Sequence, residues 1–493
     1  MANKFYITSA IAYPNGAPHL GFGLEIVQAD VLARYHRLQG DEVWFLTGTD
    51  EHGLKIFQGA KKEGVDFQEY VDRNSKEFAE LKEVLNISYD DFIRTSDKIC
   101  HWPGAQKLWL ACKKDIYLKK YSGLYCIGCE AFITKKDLID GLCPEHKIEP
   151  EKVEEENYFF KLSNYKNEIK RLIEQNEVKI LPQSRKNEVL SLLKDAEDFS
   201  ISRPKEKIPW GIPVPDDPNQ IQYVWFDALT SYISAIGYGR DENNFNKWWP
   251  VDVHLIGKGI LRFHGIYWIA MLLSAGLAMP KSIYVHGYLT ANGEKISKSL
   301  GNVISPEQVV KKYGVDPVRY YLLREIPSYE DGDFSIQKFE QRYNSDLANN
   351  LGNLVSRVAV LIEKFFEGSF FYHRKFVSKE VDNKIIDIWK KYNESINNFK
   401  LHIALENIFS LADFANLYID EHKPWALGDN PENLNKIMTN LLLILLNVAW
   451  LLKPFIPQTS DNIFEILGAD KDGNSWKEKP FVVKSRILFS KIQ

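Results

Sequence analysis

Phe5-Tyr6-Ile7-Thr8-Ser9-Ala10-Ile11, followed at once by Ala12-Tyr13-Pro14-Asn15-Gly16-Ala17-Pro18-His19-Leu20-Gly21, decides the fold of this chain. The first seven residues are apolar and rich in β-branched side chains, so they read as a strand, and Pro14-Asn15-Gly16 reads as a turn. Beyond the turn Leu20, Leu24, Val27, Val31 and Tyr35 recur at helical spacing, and Gly40 marks a C-terminal stop. Val43–Leu46 resumes a strand and runs into Thr47-Gly48-Thr49-Asp50. Strand, turn, helix and parallel strand open a doubly wound α/β sheet. Such sheets bind ligands beyond the carboxyl ends of their strands, which here means Ala10–His19 and Thr47–His52.

Working outward, further strand signals fall at Gln222–Phe226, Val253–Ile256 and Ser282–His286. A Lys- and Glu-rich stretch carrying cysteines separates the two groups, with a Pro-rich border at Pro204–Pro218. We therefore expect a Rossmann-like domain over 1–115 and 218–290, interrupted by an inserted domain over 116–217. A connecting region over 291–345 leads into an all-helical domain over 346–493, where Leu347, Leu351, Leu354, Val355, Val358 and Leu361 repeat at helical spacing.

The bulk properties are consistent with this. Of 493 residues 45% are hydrophobic and 26% charged, the proportions of a globular protein rather than a collagen-like or low-complexity one. With 62 basic and 66 acidic side chains the net charge is −4, which argues against wholesale histone-like nucleic-acid binding but leaves room for local basic faces. The run Lys113, Lys114, Lys119, Lys120 reads as a solvated face. Met-Ala-Asn-Lys-Phe-Tyr-Ile does not resemble a signal peptide, and the apolar window Leu441–Leu452 is shorter than the roughly 20 residues of a bilayer crossing. Five cysteines make no disulfide scaffold, so a reducing, cytoplasmic setting is expected. Cys126-x2-Cys129-x13-Cys143-x2-His146 has the spacing of a closed structural zinc knuckle. A redox dithiol of Cys126 and Cys129 would leave Cys143 and His146 unexplained, while Cys100 and Cys112 read as inert core thiols.

Standard nucleotide loops fail. Gly21-Phe22-Gly23 has Ile26, and Gly257-Lys258-Gly259 has Arg262, where a dinucleotide fingerprint needs a third glycine. Gly59 and Gly64 precede Val65 rather than the lysine of a P-loop. Instead, His19 stands at a helix N-terminus, where backbone N–H groups and the dipole favour phosphate, and Gly21 and Gly23 leave the first turn without bulk. Alone, this segment reads equally as a turn-rich junction with a solvated histidine. Far away, Lys295-Ile296-Ser297-Lys298-Ser299 follows an Asn292-Gly293 turn, and its lysines and serines suit a polyphosphate.

Together, the early His-Leu-Gly and late Lys-Ile-Ser-Lys-Ser resemble the HIGH and KMSKS signatures of class I aminoacyl-tRNA synthetases. Ala12-Tyr13-Pro14-Asn15-Gly16, Thr47-Gly48-Thr49-Asp50-Glu51-His52-Gly53, Tyr223-Val224-Trp225-Phe226-Asp227-Ala228, Leu255-Ile256-Gly257-Lys258 and Phe263-His264 resemble the methionyl-tRNA synthetase family, a likeness that runs from residue 5 to Leu452-Lys453-Pro454-Phe455. The resemblance implies a methionine–tRNA ligase using Mg2+·ATP and tRNA(Met), acting as a monomer without the family's optional C-terminal tRNA-binding barrel. His19, Lys295 and Lys298 would be catalytic; Pro14, Asn15, Gly16, Gly21, Glu25, Gly257, Lys258 and Ser297 would join them in holding ATP. By the same resemblance Asp50 holds the amino group of methionine. Ala10, Ile11, Tyr13, Trp225, Ala228, Tyr232 and Ile260 line the side-chain slot, with His264 at its end. Singly, Trp225 and Tyr232 read as core. The knuckle resembles the family's single-zinc insertion. Asn353 and Arg357 share a helix face, and Trp425 after Lys423-Pro424 offers a stacking platform. The resemblance places these three at the anticodon, although Trp425 alone also reads as a bundle-corner packing residue.

Two positions depart from the pattern. Phe22 stands where HIGH carries its second histidine, and Gly259 replaces the aspartate of Gly-Lys-Asp-Ile, expected near the ATP ribose. Loss of a charge-stabilising donor costs ~100- to 1,000-fold in rate, so weaker use of ATP is expected. Other readings are another class I synthetase, a smaller nucleotidyltransferase that would not need residues 335–493, and an RNA-binding relic without chemistry.

Overall fold

The computed structural model describes residues 3–128, 131–133, 138–144, 147–295, 303–427, 430–469 and 480–492. The chain divides into two compact units, Met1–His286 and Gly287–Gln493.

In the first unit, six parallel strands among the described residues form one sheet in the order Asp91–Arg94, Glu42–Thr49, Lys4–Ser9, Val253–Gly257, Ser282–His286, Lys179–Leu181. The opening β-α-β unit is present, with its helix at Leu20–Leu38. The first strand stops at Ser9, two residues short of the apolar run, where the Ala10 N–H is shared between Leu255 O of the neighbouring strand (3.1 Å) and the Glu25 carboxylate (2.8 Å). Gly48 is a packing glycine: a Cβ there would sit 2.0 Å from the Ile93 carbonyl oxygen of the neighbouring strand.

Two expectations are corrected. Gln222–Phe226 is not a strand: Asp217–Gln222 belongs to a small antiparallel sheet with Ser202–Pro204 and Pro213–Val214, and Val224 opens the helix Val224–Ser234. Val224, Trp225 and Phe226 suit either state by propensity. Burial of almost every residue of that helix overrides the strand preference. The segment 116–217 is also not one insertion. Ile116–Cys126 and Glu151–Phe160 pair antiparallel as its backbone, but Lys179–Leu181 forms the edge of the main sheet beside Ser282–Tyr284. The helices Lys166–Glu174 and Gln183–Lys194 accordingly bury Ile169, Leu172, Ile173, Val189 and Leu193 in the core of the first unit. Their Lys- and Glu-rich outer faces hid this in the sequence.

In the second unit, Glu294–Lys295, Leu289–Ala291 and Gly332–Phe334 form a small sheet, followed by long helices including Asn353–Phe366, Lys379–Asn397, Leu401–His422 and Pro431–Leu452. Leu347, Leu351, Leu354, Val355, Val358 and Leu361 are all buried. This unit is not wholly helical, since Ser369–Phe370 pairs with Phe481–Val482. Pro431–Leu452 is long and apolar enough to cross a membrane, but 78% of its apolar window is buried against the protein.

Candidate active site

Strand order reverses between Lys4–Ser9 and Val253–Gly257: from the first strand the chain builds outward to Asp91–Arg94, then returns to the opposite side. The crevice beyond the carboxyl ends at this switch point is where an open α/β sheet takes its ligand. Ala10 and Ile11 leave one of these two strands there, and Gly257 and Lys258 leave the other. Asp50 follows the neighbouring Glu42–Thr49.

Glu25, buried on the first helix, ties three elements together. Its Oε1 accepts from the Ala10 N–H and its Oε2 from His286 Nε2 at 2.9 Å. The chain bends at Asn15-Gly16, where Gly16 sits at φ +143°, a backbone state favouring glycine, and the Asn74 side chain donates to Pro14 O at 2.8 Å. His19 caps the first helix: Nδ1 accepts from the N–H groups of Gly21 (3.1 Å) and Phe22 (3.3 Å). The helix N-terminus therefore gives two of its donors to His19 itself. An accepting Nδ1 puts the proton on Nε2, so any phosphate recognition by His19 comes from an imidazole N–H. Phe22 is half-buried and meets Phe78 edge-on, with ring centroids 5.3 Å apart.

The proposed side-chain slot is equally determined. Trp225, Ala228 and Tyr232 share a face of Val224–Ser234, and the Trp225 ring stacks on Phe263 at 3.7 Å and 3°. His264 lies in a wide π-type turn, Phe263–Trp268, and is buried. Its Nδ1 donates to Ile260 O (3.0 Å), so Nε2 must accept from the Tyr232 hydroxyl (2.8 Å). Burial pushes the His264 pKa down to about 4, which keeps the ring neutral. Burial, with the nearby Glu25 and Asp50 carboxylates, pushes the Tyr232 hydroxyl up, so it stays protonated as a donor. Ala10, Ala228 and Tyr232 are buried, while Ile11, Tyr13, Trp225 and Ile260 are half-buried. These are neutral, largely apolar residues with one fixed hydroxyl–imidazole pair, and a buried carboxylate, Asp50, stands at the adjacent strand end.

The sequence matches the family described as tRNA synthetases class I (M) over residues 5–152 and 146–359, and the anticodon-binding domain of tRNA ligase over 378–490. It is 43% identical to the methionine–tRNA ligase of Thermotoga maritima over 97% of this chain and 76% of that protein. It is 42% identical to that of Brucella melitensis over 95% of this chain and 92% of that protein. The fold superposes on Mycobacterium tuberculosis methionyl-tRNA synthetase in complex with methionyl-adenylate with a TM-score of 0.92, at 36% identity and 99% coverage of both chains. The chain belongs to the methionine–tRNA ligase family. It has that family's class I catalytic fold and its helical anticodon-binding domain.

The remaining site residues expected of a methionine–tRNA ligase fall as follows. The backbone of Lys295 pairs with Thr290 in the small sheet of the second unit, whereas Ser297 and Lys298 lie outside the described residues. Cys126 and Cys143 are buried in the insertion, and Cys129 and His146 lie outside the described residues. Among the described residues no three potential ligands converge as a metal group. Cys112 is the buried thiol expected, pushed up to about 12 by burial, but Cys100 is only half-buried and accepts from Arg240 at 3.0 Å. In the second unit, the Arg357 guanidinium lies 6.0 Å from the Trp425 ring centroid and pairs with Asp420 at 2.6 Å, while Asn353 is exposed one turn earlier. Trp425 is 48% exposed, which fits a stacking platform better than a packing residue.

Glu51, His52 and Asp227 lie inside the motifs that resemble the family, where the sequence alone assigns them no role. All three are buried and hydrogen-bonded at the same end of the sheet. The signal was available, since Asp50-Glu51-His52 sets three ionisable residues in a row after an apolar strand.

Proposed function

We propose that the chain activates methionine and charges tRNA(Met) in two steps. The methionine carboxylate attacks the α-phosphate of Mg2+·ATP, forming methionyl-adenylate and releasing pyrophosphate. The 2′-hydroxyl of the terminal adenosine of the tRNA then attacks the methionyl carbonyl and releases AMP. Catalysis comes from positioning and charge stabilisation by His19, Lys295 and Lys298, without a protein nucleophile. Glu25, Gly257 and Lys258 frame the nucleotide, Asp50 takes the ammonium, and Asn353, Arg357 and Trp425 read the anticodon.

The observation that carries the methionine reading is the Tyr232–His264 pair. A neutral donor–acceptor pair at the end of an apolar slot accommodates a weakly polar thioether and disfavours a charged or strongly hydrated side chain. Zinc in the insertion is supported by the ligand spacing and by two buried thiols on separate segments, Cys126 and Cys143. When bound, the ion supplies structural cross-linking. A cytoplasmic setting is supported by the cysteine usage.

The decisive experiment is ATP–pyrophosphate exchange with purified protein, one amino acid at a time. Exchange with methionine alone is expected. Exchange with another amino acid would overturn the slot assignment, and no exchange with any would overturn the catalytic reading.

A further inference from the structure

Three consecutive residues after Glu42–Thr49 are held from three directions. The Asp50 N–H donates to Ala12 O at 2.7 Å. The Glu51 carboxylate accepts from Thr49 Oγ1 (2.7 Å), Ser75 Oγ (2.5 Å), Arg94 (2.6 and 3.0 Å) and Ser96 Oγ. His52 reaches the slot-bearing helix, where its Nδ1 donates to Asp227 Oδ2 at 2.5 Å. The other oxygen, Oδ1, accepts from His101 Nε2 at 2.6 Å, and His101 Nδ1 pairs with Ser234 Oγ at 2.7 Å. At about 100° per residue, Asp227 and Ser234 lie on the face of Val224–Ser234 opposite Trp225, Ala228 and Tyr232. One side of the helix thus forms the slot and the other grips the loop that carries Asp50.

We propose that Asp227 is a positioning residue for methionine: through His52 it sets the distance between the ammonium-binding Asp50 loop and the helix that forms the side-chain slot. The inference rests on the reading of Asp50 given above. The ammonium and thioether of one amino acid are separated by fixed bonds, so the two walls must stand at a matching distance, and an error of about 1 Å costs roughly 100-fold. A dry carboxylate holding two histidines is a stiff spacer, because releasing either leaves a buried polar group unpaired. Desolvation pushes the Asp227 carboxyl up, but the charges and hydrogen bonds of His52 and His101 outweigh it and hold the group below its ordinary value.

The test measures exchange kinetics on the full chain, with circular dichroism to verify folding. His52→Phe keeps the ring volume and removes the donor; it is expected to raise the methionine KM roughly tenfold or more and leave the ATP KM unchanged. His52→Asn puts an amide N–H where Nδ1–H stood and is expected to restore most of the loss. Asp227→Asn is expected to behave like His52→Phe. A purely structural role would lower the active fraction and leave the methionine KM alone. In an Asp50→Asn background, His52→Phe is expected to add less than about twofold, because the group it positions has lost its charge. A methionine KM within about twofold of wild type in His52→Phe or Asp227→Asn, full additivity with Asp50→Asn, or no rescue by His52→Asn would each overturn the proposal. An unchanged methionine KM in Asp50→Asn itself would instead overturn the reading of Asp50.

Discussion

His264 makes the stability of the catalytic unit depend on pH in a calculable way. Its ring is buried, its Nδ1 donates to Ile260 O, its Nε2 accepts from Tyr232, and burial holds its pKa at about 4. An unfolded histidine titrates near about 6.5. Because the folded value is the lower one, the unfolded chain binds a proton between these values that the folded chain refuses. The contribution is therefore fully present above about pH 6.5 and is lost as pH falls toward about 4. Evaluated at about pH 4.5, the loss is about 2.5 kcal/mol. Burial also pushes His254, His36 and His402 below their ordinary values, so the wild-type curve alone would combine several histidines. Comparison with His264→Gln isolates one, since glutamine does not titrate. Urea unfolding at about pH 7.5 and pH 4.5 is the assay. The wild type is expected to lose more midpoint than the variant, by about 0.8 M on an m-value of about 3 kcal/mol/M. Parallel pH profiles would refute the reasoning, because they would mean that the folded protein protonates His264 as readily as the unfolded chain does.

Phe22→His places an imidazole three residues after His19 on the same helical turn, and is expected to improve ATP use in exchange by roughly tenfold or more; an unchanged ATP KM and rate would sink the explanation based on the missing donor. Glu51→Gln removes the charge that pairs with Arg94, at a cost of about 3 kcal/mol, the low end for a buried pair because Arg94 keeps Asp72 at 2.5 Å. For a unit the size of Met1–His286 that corresponds to a Tm about 5 °C lower, and a fall under about 2 °C would refute the anchoring role. Protein prepared without chelator is expected to hold about one zinc per chain by emission spectrometry, and Cys126→Ser to lose it; zinc far below stoichiometric in the unmodified protein would refute the knuckle.

How much of this was legible in the sequence followed from how local each signal is. The β-α-β opening is local, with a strand, a turn and a 3.6-residue repeat all within the first 50 residues, and it emerged with small shifts at its ends. Lys179–Leu181 was missed because three residues carry no periodicity, and their strand identity comes from Ser282–Tyr284, a hundred residues away. Val224-Trp225-Phe226 misled because a helix buried on all sides loses the polar stripe that would have marked it. The same holds for the site. His19 and Asp50 were readable at strand ends, whereas Asp227 acquires its role from His52 and His101, 175 and 126 residues distant.

The two departures from the family pattern sit differently from everything that shapes the methionine slot. Glu25, Glu51 and Asp227 are buried carboxylates, and each meets donors from more than one element, so substitution at any of them would propagate into the walls of the slot. Phe22 is instead half-buried against Phe78, and Gly259 is exposed in the short turn Lys258–Ile260. Neither contributes a side-chain hydrogen bond to the network around Asp50, Tyr232 and His264, although Gly259 directly precedes Ile260, whose carbonyl holds His264. On the proposed reading, loss of the family's histidine and aspartate at these places is expected to weaken use of the nucleotide more than that of the amino acid. The expected kinetic signature is a split: an ordinary methionine KM together with a raised ATP KM. A methionine KM raised in parallel would mean that the first helical turn also shapes the slot, a link that the hydrogen bonds of His19 to Gly21 and Phe22 do not provide.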